Sequence, residues 1–467
     1  MLGLARVALA LFFVWLLGAL LLGGLGVRRR RWPLGYAQPA MDFAVGAAVL
    51  ATLWTFAALF GWTMRRELVW VAALVLAIPA GIRAGRQPRN ASEETKEGPA
   101  SNPRTAWAGW LALLALVVVL AGISARAYAI SMFWDGRYIW AFKAKAMFAD
   151  ERLDREAFSN LARYRYTHFD YPLSVPAVQA WVYQTQGHVD ERRAKLVGIV
   201  YWLGIVALLA GYLRRRMTLP WALGLSLLAC QVSVVAYHAG GGAADVPQAF
   251  HFLAGGVLLA DWAERGRRED SLMAALMFGT GTLVKAEGLS MALGGALAFA
   301  AAWGWRLRQT GLGEVGLGFL AVGLPYLPWA ALRVSWGIPS LQLTRSHFRP
   351  WPQMWERLAL TIKSSVAELV AWSRWELAGP VILLGFIAYL FLSRRERAVG
   401  LLWGLLIWQY AVYVAVYLFS ALDITLHLTT SLSRLLIHLM PLGMAAAVAS
   451  LIPTPASTGE PERYLNL

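Results

Sequence analysis

Leu196 to Leu213 reads LVGIVYWLGIVALLAGYL, eighteen residues without a charge, and Arg214-Arg215-Arg216 closes it. About twenty such residues, wound as a helix, match the hydrocarbon thickness of a bilayer, and a basic cluster favours the cytoplasmic surface at its end. Similar runs precede it at Leu4 to Val27, Phe43 to Trp62, Leu68 to Ile82 and Trp107 to Arg126. Others follow at Leu219 to Tyr237, Val246 to Trp262, Ser271 to Val284, Leu289 to Trp305, Val315 to Trp336, Leu377 to Leu392, Ala398 to Phe419 and Leu435 to Ile452. These thirteen runs predict an all-α polytopic membrane protein, a bundle of about thirteen transmembrane helices. Composition agrees: 58% of the 467 residues are hydrophobic and 15% charged, against about 25% charged in soluble proteins. A soluble enzyme, a disordered chain and a disulfide scaffold are excluded. The one cysteine, Cys230, has no partner in the chain and reads as a small core residue.

Orientation follows from the short loops. Arg28 to Arg31, Arg83/Arg86/Arg89, Arg214 to Arg216, Arg265/Arg267/Arg268, Arg306/Arg308 and Arg394/Arg395/Arg397 fall on one side if the spans alternate. That side is expected to be cytoplasmic, with the N-terminus outside and the C-terminus inside. The first run, followed by four arginines, reads as a stop-transfer segment rather than a cleaved signal. Forty-three Lys+Arg against twenty-seven Asp+Glu give +16, which reports insertion signals and anionic head groups. The basic loops lack the aromatic interleaving of a nucleic-acid binder. The expected division is 1–104 for three N-terminal spans and a cytoplasmic linker, 105–452 for the main membrane domain, and 453–467 for a short cytoplasmic tail. The Gly85 to Arg104 linker is Pro/Glu/Ser-rich, and its Asn90-Ala91-Ser92 sequon would face the wrong side for glycosylation.

Outer loops are expected at 128–195, 238–245, 337–376 and 423–434, and they collect the ionisable residues. Such residues are seldom placed at the edge of hydrocarbon without use. Trp134-Asp135-Gly136-Arg137-Tyr138 opens a segment, Tyr138 to Ala149, whose Lys143 and Lys145 suit an interface helix. Asp135 either caps that helix or serves chemistry. Tyr166-Thr167-His168-Phe169-Asp170-Tyr171-Pro172 leads into a short helix, Leu173 to Gln186. Gly240-Gly241-Gly242 permits close backbone approach before Ala243-Ala244-Asp245-Val246-Pro247, where Asp245 is a cap or a ligand. Lys285, in Leu283-Val284-Lys285-Ala286-Glu287-Gly288, either snorkels or binds. His427-Leu428-Thr429-Thr430-Ser431-Leu432-Ser433-Arg434 and His438 lead into the last span. Two carboxylates, a lysine and an arginine on one face suit a phosphorylated lipid. The cations hold the phosphate and a carboxylate takes a proton.

In this order the motifs resemble bacterial GT-C glycosyltransferases related to the protein O-mannosyltransferases and the lipid A aminoarabinose transferase, from about Trp107 to Ile452. The resemblance implies a GT-C helical bundle in the bacterial plasma membrane, with its active site on the non-cytoplasmic (periplasmic or extracellular) face. It implies a polyprenyl-phosphate-linked sugar as donor and an acceptor that is protein, lipid or glycan. Asp135 matches the first-loop aspartate, Asp245 the second-loop acid, and Lys285 the lysine near the lipid phosphate. His427 and Arg434 match the late polar motif. Arg137, Lys143, Lys145, His168, Asp170 and Glu287 complete the expected substrate-binding set. Many relatives carry Asp-Glu where Asp135 stands between Trp134 and Gly136, and the three spans before Trp107 are additional.

The implied reaction inverts the anomeric carbon. Asp135 deprotonates the acceptor, and Lys285 and Arg434 stabilise charge on the departing phosphate, which needs no general acid. No cofactor is required; His168, Asp170 and Asp245 are the residues that would hold a divalent cation. The rival reading is a transporter or flippase of a lipid-linked or anionic substrate, which predicts midplane charges and paired interrupted helices. His251 and Glu314 are the two candidate midplane groups, read as a helix-packing histidine and a cytoplasmic-edge residue. A non-catalytic scaffold is the third reading, and it would tolerate replacement of Asp135.

Overall fold

The computed structural model describes residues 2–27, 35–86, 106–129, 131–306, 311–339, 348–391 and 396–452. Arg28 to Arg31, the linker from 87 onward with its sequon, Arg308, Arg394, Arg395 and the 453–467 tail lie outside the described residues. Among the described residues every regular element is a helix. Nine helices among the described residues are long and apolar enough to cross a bilayer: Gly3–Leu25, Gln38–Phe60, Arg66–Ala84, Trp107–Ala129, Glu191–Leu213, Glu287–Trp305, Leu312–Trp336, Arg397–Phe419 and Ile424–Leu451. Leu219–Cys230 and Ser233–Gly241, bent by 73° at their junction, together make a tenth. The remaining expected runs are also helical, as Asp245–Arg265, Arg268–Gly281 and Ala378–Phe391.

Burial sorts these helices into a core and a rim. The apolar window of Ile424–Leu451 is 89% buried, while that of Trp107–Ala129 is 11% buried and turns Leu111, Leu113, Leu114, Val117 and Val118 outward. Asp245–Arg265 is buried without interruption from Asp245 to Trp262. The first two helices cross at glycines: a side chain on Gly18 or Gly46 would collide with the carbonyl of Asp42 or Val14. Without a hydrophobic drive between helices in lipid, such close backbone packing is what holds spans together.

The buried Asp245–Arg265 helix has an acid near each end. Asp245 opens it, and Asp261 pairs with Arg215 inside the bundle. Nearby, Arg216 meets Glu396 at 3.0 Å. At 1.5 Å per residue the two acids stand about 24 Å apart, close to one hydrocarbon thickness. Arg215 and Arg216, expected only as insertion signals, are therefore also packing residues, because each finds a carboxylate on a neighbouring helix.

Trp351–Leu369, inside the expected 337–376 loop, is inverted relative to a soluble protein. Its buried residues are Arg357, Thr361, Ser365 and Glu368, while Trp351, Trp355, Ile362 and Val366 are exposed. A polar face inward and an apolar face outward suits a helix against lipid. Arg357 repays its burial by donating to the carbonyls of Tyr417, at 2.9 and 2.6 Å, and of Ser420, at 3.1 Å.

Two expectations need correction. The segment 423–434 is not a loop but the first turns of Ile424–Leu451, capped by Asp423, whose carboxylate accepts from the Leu426 N–H at 2.9 Å. Its threonine and serine hydroxyls bond back onto the helix's own carbonyls, so a polar stretch still winds as helix. The segment 238–245 is likewise mostly helix: Ser233–Gly241 ends in it and Asp245–Arg265 begins in it, with only Gly242 to Ala244 between them. The helix expected from Tyr138 to Ala149 is present, as a π-helical turn, Gly136–Ala141, continuing into Phe142–Asp150.

Candidate functional site

The site is built on Asp245, the first residue of its helix and fully buried. Before it, Ser233–Gly241 ends at Gly242, whose φ of +80° turns the chain and brings His238 alongside. Lys285 arrives on the tight turn between Arg268–Gly281 and the Glu287 helix, which is pinned where the Ser174 N–H donates to the Leu283 carbonyl at 2.9 Å. Arg434 and His438, four residues apart on the last helix, share one face. One carboxylate joins all of these. Its Oδ1 accepts from Lys285 Nζ at 2.8 Å and faces His438 Nε2 at 3.2 Å. Its Oδ2 faces His238 Nδ1 at 2.9 Å and Arg434 Nε at 3.4 Å. Tyr413 Oη lies 2.8 Å from the other nitrogen of His438, and Lys285 also reaches Glu287 at 3.3 Å.

Above this knot Arg434 pairs with Asp135. Asp135 makes no side-chain cap to the turn that follows it, so its carboxylate points to the cation and not to the helix. Gly136 explains how it gets there. A side chain at Gly136 would collide with the Gly241 carbonyl, so glycine lets the first loop lie directly on the His238 helix.

A cavity of about 510 Å³ opens over these groups. Of the expected residues, Asp135, His168, Asp170, Lys285, Glu287, His427 and Arg434 line it, although they come from four stretches of chain. The lining also includes Arg333, Tyr326, Tyr413, Tyr166 and Trp134. Three carboxylates thus face three permanent cations, and the Arg333 guanidinium donates to Tyr326 Oη at 3.2 Å. Among the described residues, Glu287 Oε2, His168 Nδ1 and His427 Nδ1 are buried without a hydrogen-bond partner. Buried polar atoms of that kind are rare unless a ligand or water meets them.

The remaining expected residues lie elsewhere. Asp245 is beneath the cavity and takes up its lone pairs on four partners, so it does not join His168 and Asp170 as a cation-binding set. Among the described residues, no group of three His, Cys, Asp or Glu side chains is arranged for a metal ion. Arg137 and Lys145 turn to a separate pocket, both toward Glu191. Lys143 is fully buried behind the first loop, donating to the carbonyls of His168 at 2.6 Å and Tyr171 at 3.1 Å. His168 holds a left-handed conformation, φ 47°, which costs a non-glycine residue about 1–2 kcal/mol. The lysine offsets that cost by bonding its carbonyl. Burial lowers the Lys143 ammonium to about 7, with the Asp170 charge pulling it back up.

Sequence reasoning missed Arg333, Tyr413 and the anchoring roles of His238 and His438. Arg333 carried a signal, a charge inside an apolar run; Tyr413 carried none. Searches against family models, curated proteins and solved structures find no match to this chain.

Proposed function

We propose that the chain is a GT-C type glycosyltransferase of about thirteen spans, moving a sugar from a polyprenyl-phosphate donor to an acceptor at the non-cytoplasmic face of a bacterial plasma membrane. The observation that carries this reading is convergence. Asp135, Lys285 and Arg434, from three distant stretches, meet at one polar cavity at the end of an otherwise apolar bundle. The basic linkers around Arg215, Arg265 and Arg397 gather at the opposite end, which favours a non-cytoplasmic cavity.

The charges lining the cavity balance and Asp245 beneath adds a fourth carboxylate, so a phosphate enters by exchange rather than by net attraction. It takes Arg434 from Asp135 in charge-assisted bonds, with Lys285 beside it. Asp135, released, accepts the proton of an acceptor hydroxyl or amine as that atom attacks the anomeric carbon. The bond from that carbon to the phosphate oxygen breaks, and its electron pair leaves on the phosphate, where Arg434 and Lys285 stabilise it. One displacement inverts the centre. Asp245 holds the two cations in place and is too deep to touch the acceptor. The exposed rings of Trp134 and Tyr166 at the mouth suit the apolar face of a sugar.

The test is sugar transfer by Asp135→Asn. Asparagine still accepts a hydrogen bond from Arg434 but cannot take a proton, so turnover should fall about 10²- to 10⁴-fold with the fold intact. Near-normal turnover would remove Asp135 from the mechanism and make Asp170, which also lines the cavity, the next base. The 73° break between Leu219–Cys230 and Ser233–Gly241 favours a second reading, since transporters use interrupted helices. Proteoliposomes separate the two: a flippase moves labelled donor across the bilayer without consuming it.

A further inference from the structure

A second pocket, of about 440 Å³, lies on the other side of the π-helical turn, so that Asp135 faces the main cavity and Arg137 faces this one. Its lining brings Arg137, Lys145, Arg192 and Lys195 against two carboxylates, Asp190 and Glu191. Asp190 is already engaged, accepting from the Arg193 N–H at 3.2 Å and pairing with the Arg193 guanidinium. Glu191 is shared by Lys145 and Arg137. The pocket therefore carries two cations in excess of its acids, unlike the balanced main cavity.

Its position is as informative as its charge. Ser131 and Met132 in its wall come two and three residues after the end of Ala106–Ala129, a rim helix whose side chains mostly face outward. Glu191 begins the Glu191–Leu213 span. The pocket thus sits where two spans leave the hydrocarbon, at head-group level and beside lipid. We propose that it holds the phosphate of an anionic phospholipid of the surrounding bilayer, so that a lipid head group braces the wall carrying Asp135. This requires membrane insertion but not sugar transfer, and it fails or stands apart from that reading.

The test uses full-length protein in detergent, mixed with equal amounts of phosphatidylglycerol and phosphatidylcholine, with retained lipid counted by native mass spectrometry. The wild type should retain phosphatidylglycerol with a preference of about tenfold or more, since each basic side chain near an anionic head group contributes about fivefold. Lys145→Gln combined with Arg192→Gln should bring the two lipids to parity, while Arg163→Gln, outside the pocket, should not. Displacement of the lipid by inorganic phosphate supports recognition through the phosphate. Parity in the wild type, or a preference that survives the double substitution, overturns the proposal. Stabilisation by inorganic phosphate with no lipid preference overturns the lipid as its source.

Discussion

Lys143 is fully buried, and its ammonium donates to two backbone carbonyls. A neutral amine has two N–H bonds, enough for both acceptors, and burial lowers its pKa to about 7. In the unfolded chain a lysine titrates near 10.4. Between about pH 7 and 10.4 the unfolded state therefore holds a proton that the folded state has lost, so this group's contribution to stability rises with pH there. Below 7 both states are charged and the penalty is constant. Thermal midpoints of wild type and Lys143→Met, compared from pH 6 to 10, should show the difference moving in favour of wild type above pH 7; a pH-independent difference would contradict it. The depth of Lys143 was not legible in the sequence. Lys143 and Lys145 alternate with apolar residues, and only packing against Ser174–Gln186 decides which one goes inside. Asp135, Lys285 and Arg434 were legible, because charges at the ends of apolar runs are costly wherever the bundle puts them.

Asp245 acts at the scale of elements, tying together the His238 helix, the Lys285 turn, its own helix and the last helix. Asp245→Asn should leave Lys285 with Glu287 as its remaining charge partner, at 3.3 Å, and break its pair with Asp245, where losing one partner of a buried pair costs up to about 3–5 kcal/mol. The expected result is a sharply lower thermal midpoint, partly restored in Asp245→Asn with Lys285→Met. A single variant as stable as wild type would mean the knot is not an anchor. Here the sequence misled in an instructive way. Polar residues in 423–434 suggested a loop, but their hydroxyls satisfy helix carbonyls and Arg434 needs a rigid element to reach Asp245. The 337–376 stretch looked polar because Arg357 and Glu368 are in it, and both turn inward.

For the whole molecule, the apolar runs dictated helices because lipid leaves backbone groups no other partner. What they did not dictate was which helices sit at the centre. Asp245–Arg265 is less apolar than the rim helix Ala106–Ala129, yet it is the buried one, because it carries the ion pairs that join its neighbours. Two polar layers about 24 Å apart follow from its length, one built on Arg215–Asp261 and the other opening into the cavity. The central claim is that this cavity receives a lipid phosphate by exchange with Asp135. The most direct measurement is a cryo-EM structure of the full chain with polyprenyl phosphate bound. Phosphate density within hydrogen-bond reach of Arg434 and Lys285, with Asp135 turned away from Arg434, is the predicted result. Phosphate seated outside the cavity, with the Asp135–Arg434 pair intact, would contradict it.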